Sequence, residues 1–368
     1  MQQQESLIPL DIILPAHGRL ELTKHAVDCI YSNTHSPFHL IVMDDSDASV
    51  REGAFHPIEV GDTTSDYFNQ LTKVTPNITY YNSPHPFKNG NEFFNKAFEF
   101  CKYDFVATTM NSLRVEPDWE KVALRLMKDD PTIGMVGLKN LFPNGLIESA
   151  GIIMAGHTPT DFGRDQAGHR LNQIIEMEAV QWAFAIVRLK AVVGALDTSF
   201  HGFVGWDDID NCFELKKRGW KIVYCGMGVG YHAPRATRGD NRVEAFMLNK
   251  ENAEKFYKKW GYWEMYKGAN RMDIGDKLSD ETKSYLLETV MEYQVINRLR
   301  EERLAKLEVA GDKALTEAKM SHTEYQLTVD PVMRQFMVTP KLNSEVPKLD
   351  GEPSDNGERK VSPREVIV

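Results

Sequence analysis

The chain has 368 residues, 42% of them hydrophobic, and a formal net charge of −10. That length allows one large domain or two smaller ones around a real core. The acidic balance argues against nucleic acid as the main partner. No apolar run reaches the length of a membrane-spanning helix, and the start Met1-Gln2-Gln3-Gln4-Glu5 lacks the basic and apolar regions of a signal peptide.

The first half alternates strand and helix patterns. Asp11–Leu14 is a short apolar run ended by Pro15, and Leu22, Ala26, Val27 and Ile30 then share a helical face. His39–Met43 is a strand running into the acids Asp44, Asp45 and Asp47. Ile78–Tyr81 is a third strand, Phe94, Ala97, Phe98 and Cys101 mark a helix, and Phe105–Thr109 is a fourth strand. Pro117 sits at a helix start with Trp119, Val122, Ala123 and Leu126 on one face, and Gly134–Gly137 is again strand-like. This rhythm implies a Rossmann-like, mainly parallel sheet with helices on both faces, whose ligands bind beyond the carboxyl ends of the strands.

After Pro143-Asn144-Gly145, a turn signal, Val180–Val187 and Lys221–Cys225 read as strands. Gly156–Leu171 is a polar stretch that reads as an exposed loop or the border of a binding site. Residues 241–268, rich in aromatics and lysine, form a helical cap. A long helical stretch follows to about residue 320, with rough heptad spacing over 279–320. It fits a helical hairpin, an oligomerising coiled coil or a solvated helix on the same subunit. Beyond 321 the composition is that of a disordered tail. Cys29, Cys101, Cys212 and Cys225 are scattered without CxxC spacing and read as free thiols in a reducing, cytoplasmic setting.

The most informative segment is Trp206-Asp207-Asp208-Ile209-Asp210, with its glycine-rich lead-in Gly202 and Gly205. Ile209, Cys212 and Phe213 make it a helix start. Acids there complement the helix macrodipole and supply caps. One acid would suffice for that, so the cluster also reads as a cation site, a shared-proton pair or a base.

Four blocks in order, covering residues 8–240, resemble a family 2 glycosyltransferase of the GT-A fold, with rhamnosyl- and galactofuranosyl-transferase-like members the most similar. The first is Ile12-Ile13-Leu14-Pro15-Ala16-His17-Gly18-Arg19 with Leu40-Ile41-Val42-Met43-Asp44-Asp45-Ser46. The second runs from Phe105 to Trp119. The third runs from Val136 through Asn144-Gly145 to Gly151, and the fourth from Gly194 through Trp206–Asp210 to His232. The resemblance implies a nucleotide-diphospho-sugar transferase domain over 1–240, a helical extension over 241–320 and a tail over 321–368.

It also implies roles. Asp44 and Asp45 would hold the base and ribose of a UDP or dTDP sugar, beside Pro15, His17, Arg19 and Asn95; an Asx-type turn is the structural alternative for Asp44, and helix surface for Asn95. Asp207 would be the base of an inverting transfer to a glycan or other hydroxyl acceptor, and Asp208 the acceptor clamp, with the two able to exchange roles. Asp210 would cap or pair within the helix. Trp206 and Trp182 would face the acceptor; core packing is the alternative for Trp206.

The sequence departs from the family at the Asp-x-Asp motif, whose acids hold Mn²⁺ or Mg²⁺. Met110-Asn111-Ser112 stands there without a carboxylate. An amide and a hydroxyl are poor ligands for a hard cation. His232 matches the family's late metal histidine, or is structural. With metal dependence reduced or absent, Asn111, Ser112, Arg114, Arg235 and Arg238 become the candidates to face the diphosphate, the arginines by bidentate contacts. The competing reading is a non-catalytic GT-A-shaped binding or scaffold protein that lost its metal site.

Overall fold

The computed structural model describes residues 7–53, 58, 61–155, 158–233 and 242–262. Its first half alternates strands and helices, with α2 and α3 added to the expected elements: β1 (Leu10–Ala16), α1 (Leu20–Asn33), β2 (Phe38–Asp44), α2 (Ser46–Glu52), α3 (Thr64–Val74), β3 (Ile78–Asn82), α4 (Gly90–Phe98) and β4 (Phe105–Thr108). Then come β5 (Leu113–Val115), α5 (Lys121–Asp129), β6 (Ile133–Leu141), β7 (Ile147–Ser149), β8 (Ile152–Ala155), β9 (Thr158–Asp161) and β10 (Ile174–Glu176). The described chain closes with β11 (Ala185–Arg188), α6 (Leu189–Val192), α7 (Asp207–Lys217), β12 (Lys221–His232) and α8 (Arg242–Lys259).

One sheet has the order β10-β12-β6-β11-β4-β1-β2-β3, with β5 on β12 and β7 on β6. β1, β2, β3 and β4 are mutually parallel, as are β6 and β12. β11 is antiparallel to both β4 and β6, joining the two parallel blocks. Strand residues alternate strictly between two cores. Ile13, Ile41, Met43, Val106, Ala185 and Val187 pack with α4, α6, α7 and α8. Ile12, Leu14, Leu40, Val42, Ala107 and Ile186 pack with α1, α3 and α5. The period-two pattern buries both faces, which is why these strands read as continuous apolar runs.

Several elements differ from expectation. The helix after Pro117 starts at Lys121 and buries Ala123, Leu124 and Met127, leaving Val122 exposed. Only the second half of Val180–Val187 is strand, because Val180 and Trp182 belong to the loop that fills the core. Part of Gly156–Leu171 is the second strand of the β8–β9 hairpin. α8 is the described part of the 241–320 extension, and its Ala253, Phe256 and Tyr257 are built into the same core as α4 and α7. The coiled-coil stretch and the tail lie outside the described residues.

Candidate functional site

In the order β3-β2-β1-β4, the chain moves outward from β1 to β2 and β3 on one side and to β4 on the other. Such a reversal leaves a crevice at the carboxyl ends of the strands. Ala16 and Asp44 are register partners there, so the ends of β1 and β2 lie side by side.

The two strand-end acids are used differently. Asp44 is fully buried. One of its oxygens accepts from the Ser46 backbone N–H at 2.9 Å and from the Ser46 hydroxyl, and the other accepts from the Tyr80 hydroxyl at 2.7 Å. One oxygen thus closes the Asx-type turn given as the structural alternative for Asp44, and the other is taken by Tyr80 of β3. Asp45 lies nearer the crevice. Its Oδ1 is 2.6 Å from His17 Nδ1, and its Oδ2 accepts from the Phe87 N–H at 3.0 Å. Gly18 and Arg19, both left-handed, turn the chain from Pro15 and His17 into α1 and leave Arg19 exposed.

Burial pushes the Asp44 carboxyl from the usual 3.8 up to about 6. A carboxyl whose folded pKa is raised favours the fold in its protonated form. That contribution is complete below about pH 4 and is lost as pH rises through 6. Asp44→Asn, which keeps an acceptor without the charge, is therefore expected to gain on the wild type by on the order of 1–3 kcal/mol between pH 4 and 7. Urea unfolding at the two pH values checks it; a difference that does not change with pH would sink the idea.

At the end of β4, Asn111 and Ser112 are buried, and the Asn111 amide donates to Thr23 Oγ1 at 3.2 Å. Arg114 is buried too, and its guanidinium donates to the carbonyls of Asn111, Leu113 and Leu22 at 2.8, 2.9 and 3.2 Å. The expectation that Arg114 reaches a diphosphate is corrected: its guanidinium is spent on those backbone carbonyls. His232 pairs with Leu113 across β12 and β5, and its Nδ1 is 2.8 Å from Glu148 Oε2. Ala233 N–H donates to Ser112 O at 3.1 Å, so the segment that follows leaves from this strand end. Arg235 and Arg238, on that segment, lie outside the described residues.

Mn²⁺ or Mg²⁺ is the metal the resemblance implies. The residues present do not fit it. Asn111 offers an uncharged amide and Ser112 a hydroxyl in place of carboxylates, and His232 and Glu148 make a pair rather than a ligand set. Among the described residues no three His, Cys, Asp or Glu side chains come together to hold an ion.

The acid cluster opens α7. Asp207 is the first residue of α7, next to the N-terminus of α4: a Cβ on Gly90 would lie 2.8 Å from Asp207 Oδ2. Asn89 caps α4 by accepting from the Glu92 N–H at 2.8 Å, and its amide donates to Thr198 O at 2.9 Å. The stretch from Phe87 to Gly90 thus touches Asp45 at one end and Asp207 at the other, bringing the two predicted halves of the site together. Asp208 Oδ1 accepts from the Ile209 N–H at 2.9 Å.

Other predicted residues serve packing. Trp182 is buried against Phe94, with ring centroids 5.2 Å apart, so it does not face an acceptor. Trp206 packs on Phe256 and Tyr257 of α8, at 5.5 and 5.1 Å, which limits it as a sugar platform. Asn95 donates to Leu196 O at 3.5 Å. Asp210 pairs outside its own helix, accepting from Lys259 Nζ and Trp260 Nε1 of the α8 end, each at 2.8 Å.

Sequence reasoning missed Glu148, the partner of His232. It also missed Asn91 and Asn211, two buried amides that donate to each other at 3.1 and 2.7 Å and tie α4 to α7. In the polar stretch, fully buried Lys139 holds the carbonyls of Gly168 and Arg170 at 3.0 and 2.7 Å. Arg164 pairs with Asp161 at 3.0 Å, whose carboxyl burial pushes up. The four cysteines are all free thiols. Among the described residues no helix is long and apolar enough to cross a membrane.

No family model matches the chain. A curated relative, the uncharacterized protein y4gI of Sinorhizobium fredii (strain NBRC 101917 / NGR234), is 27% identical over 243 residues; the match covers 62% of this chain and 25% of that protein. Among solved structures, GalNAc-T7 with UDP, GalNAc and Mn²⁺ superposes with a TM-score of 0.50 and 11% identity, covering 74% of this chain and 54% of that one. The mannosyltransferase PcManGT from Pyrobaculum calidifontis, in complex with GDP-Man and Mn²⁺, gives a TM-score of 0.43 and 15% identity over 78% of this chain and 80% of that one. The chain spans about half the length of GalNAc-T7 and a quarter of y4gI. The fold is that of the GT-A glycosyltransferases.

Proposed function

We propose that this chain is an inverting glycosyltransferase that moves a sugar from a nucleotide-diphosphate donor, UDP- or dTDP-linked, to a hydroxyl of a glycan or similar acceptor. The observation that carries this reading is the seat of Asp207. Its carboxylate stands beside the α4 N-terminus, and the Phe87–Gly90 stretch that leads into α4 also carries the N–H bound by Asp45, the partner of His17. In the reaction the acceptor oxygen attacks the anomeric carbon, Asp207 takes the hydroxyl proton, and the bond from sugar to diphosphate breaks. The transition state is oxocarbenium-like. Asp45 and His17 would read the base or ribose, and Asp208 would orient the acceptor.

Charge on the departing diphosphate needs a counterpart. Arg235 and Arg238 are proposed for it, since the segment bearing them leaves from Ser112 at the strand end. The expected result is transfer undiminished by a chelator and lowered about 10²-fold or more by Arg235→Ala with Arg238→Ala. Loss of activity in chelator with recovery on Mn²⁺ would overturn this assignment.

The non-catalytic alternative draws on Asn111 and Ser112, which carry no carboxylate where the family's metal acids would stand, and on Arg114, which donates to backbone carbonyls. Donor hydrolysis and transfer across a panel of nucleotide sugars, with Asp207→Asn as control, separates the readings. Binding without turnover by the wild-type protein would favour the scaffold.

A further inference from the structure

His201, Val204, Gly205 and Trp206, just ahead of Asp207, are held in place by α8, which follows the region of family resemblance. Gly205 has φ +97° and Trp206 φ +78°, two successive left-handed residues at the N-terminus of α7. A non-glycine residue in that conformation costs energy and persists only where its surroundings fix it. Here the surroundings belong to α8. The Asn252 amide donates to the carbonyls of His201 and Gly205 at 2.9 and 3.1 Å, and its oxygen accepts from the His201 N–H at 2.8 Å. Asn249 donates to Val204 O at 2.7 Å. The Trp206 ring rests on Phe256 and Tyr257. On the far side of Asp207, Asp210 is held by Lys259 and Trp260. The first turn of α7 is therefore fixed at both ends by one helix.

Asn252 is 1% exposed, and these three hydrogen bonds all go to the segment just ahead of Asp207. We infer that Asn252 is a positioning residue for Asp207: it holds the left-handed Gly205–Trp206 turn so that the carboxylate faces the crevice. The inference rests on reading Asp207 as the base. A displacement of about 1 Å in a reacting group can cost about 10²-fold in rate. Loss of Asn252 should thus act on turnover and leave donor binding, proposed for Asp45 and His17, in place.

The test compares the full-length wild type with Asn252→Ala and with Asn249→Ala, the milder variant should the first fold poorly. Two readouts are taken: kcat and KM for the nucleotide sugar, and amide hydrogen exchange of the 201–208 segment. We expect exchange there to rise about tenfold or more, with the β1–β4 strands unchanged. kcat should fall about 10-fold to 10²-fold with donor KM held, and Asn249→Ala should lie between. Unchanged exchange at 201–208, or equal loss of kcat and donor affinity, overturns the inference. An active wild type whose Asn252→Ala and Asn249→Ala variants both keep the wild-type kcat rejects the positioning role and leaves the transferase reading intact. A wild type without turnover, but with faster exchange in the variants, rejects the transferase reading, and with it the catalytic role of Asn252, while the fastening by α8 stands.

Discussion

Asp207→Asn should lower sugar transfer by about 10²–10⁴-fold, the usual share of a general base, and leave nucleotide binding where it was. The amide keeps the shape of the side chain and cannot take the acceptor's proton. Initial rates with a reactive donor, beside calorimetric titration of the free nucleotide, separate the two effects. Asp208→Asn should cost less, since Asp208 Oδ1 is already engaged by the Ile209 N–H. A reversed order of the two variants would make Asp208 the base. Gly90→Ala offers an independent check. Its methyl would stand 2.8 Å from Asp207 Oδ2, forcing the carboxylate aside. It should reproduce much of the Asp207→Asn loss without touching an ionisable group. Full activity in Gly90→Ala would mean that the seat of Asp207 against α4 is irrelevant to chemistry.

The largest effect on stability is expected at Asp11, far from the crevice. Asp11 is fully buried in β1. It accepts from the backbone N–H groups of Lys102 and Tyr103 at 2.8 and 2.7 Å, and it lies 2.7 Å from Nδ1 of His39, its register partner on β2. His39 Nε2 is in turn 2.8 Å from Thr79 Oγ1 on β3. One carboxylate thus organises polar groups from three parallel strands and the loop entering β4. Asp11→Ala leaves these donors buried without their acceptor, at a cost of about 3–5 kcal/mol. In a domain of this size that corresponds to a fall of roughly 6–20 °C in Tm. Asp11→Asn, which retains one oxygen, should lose markedly less. Thermal unfolding of the three proteins at pH 7 settles it; an Ala variant within 2 °C of the wild type, about what 1 kcal/mol is worth, would show the network to be dispensable.

The sequence displayed those features whose cause is local. β1 to β4 were readable because strands buried on both faces leave unbroken apolar runs, and α7 because three acids precede a 3.6-residue pattern. α2 and α3 were missed, since they are short and largely polar, and Ser46–Glu52 looks like an acidic strand end. β5, β7 and β10, each three residues long, are too brief to carry a period. Site residues divide in the same way. The motifs single out Asp207 at a helix start and Asp45 at a strand end. The surroundings of Arg114 and Trp182 were not legible, because nothing in an arginine's neighbours reveals that backbone carbonyls will claim its guanidinium, or in a tryptophan's that Phe94 will cover it. The partners of Asp210 are 49 and 50 residues away in sequence, beyond the reach of any local pattern.

The fastening of the 201–206 turn by α8 also bears on how the protein comes into being. Chains fold from the N-terminus as they leave the ribosome, at about 5–20 residues per second. Asp207 precedes Asn252 by 45 positions, so for a few seconds of every synthesis the carboxylate exists without the residue that aims it. A nascent chain in that interval can complete its sheet, yet its proposed base has no fixed bearing. Cutting the chain at residue 240, the boundary that sequence resemblance suggests, would make that immature state permanent.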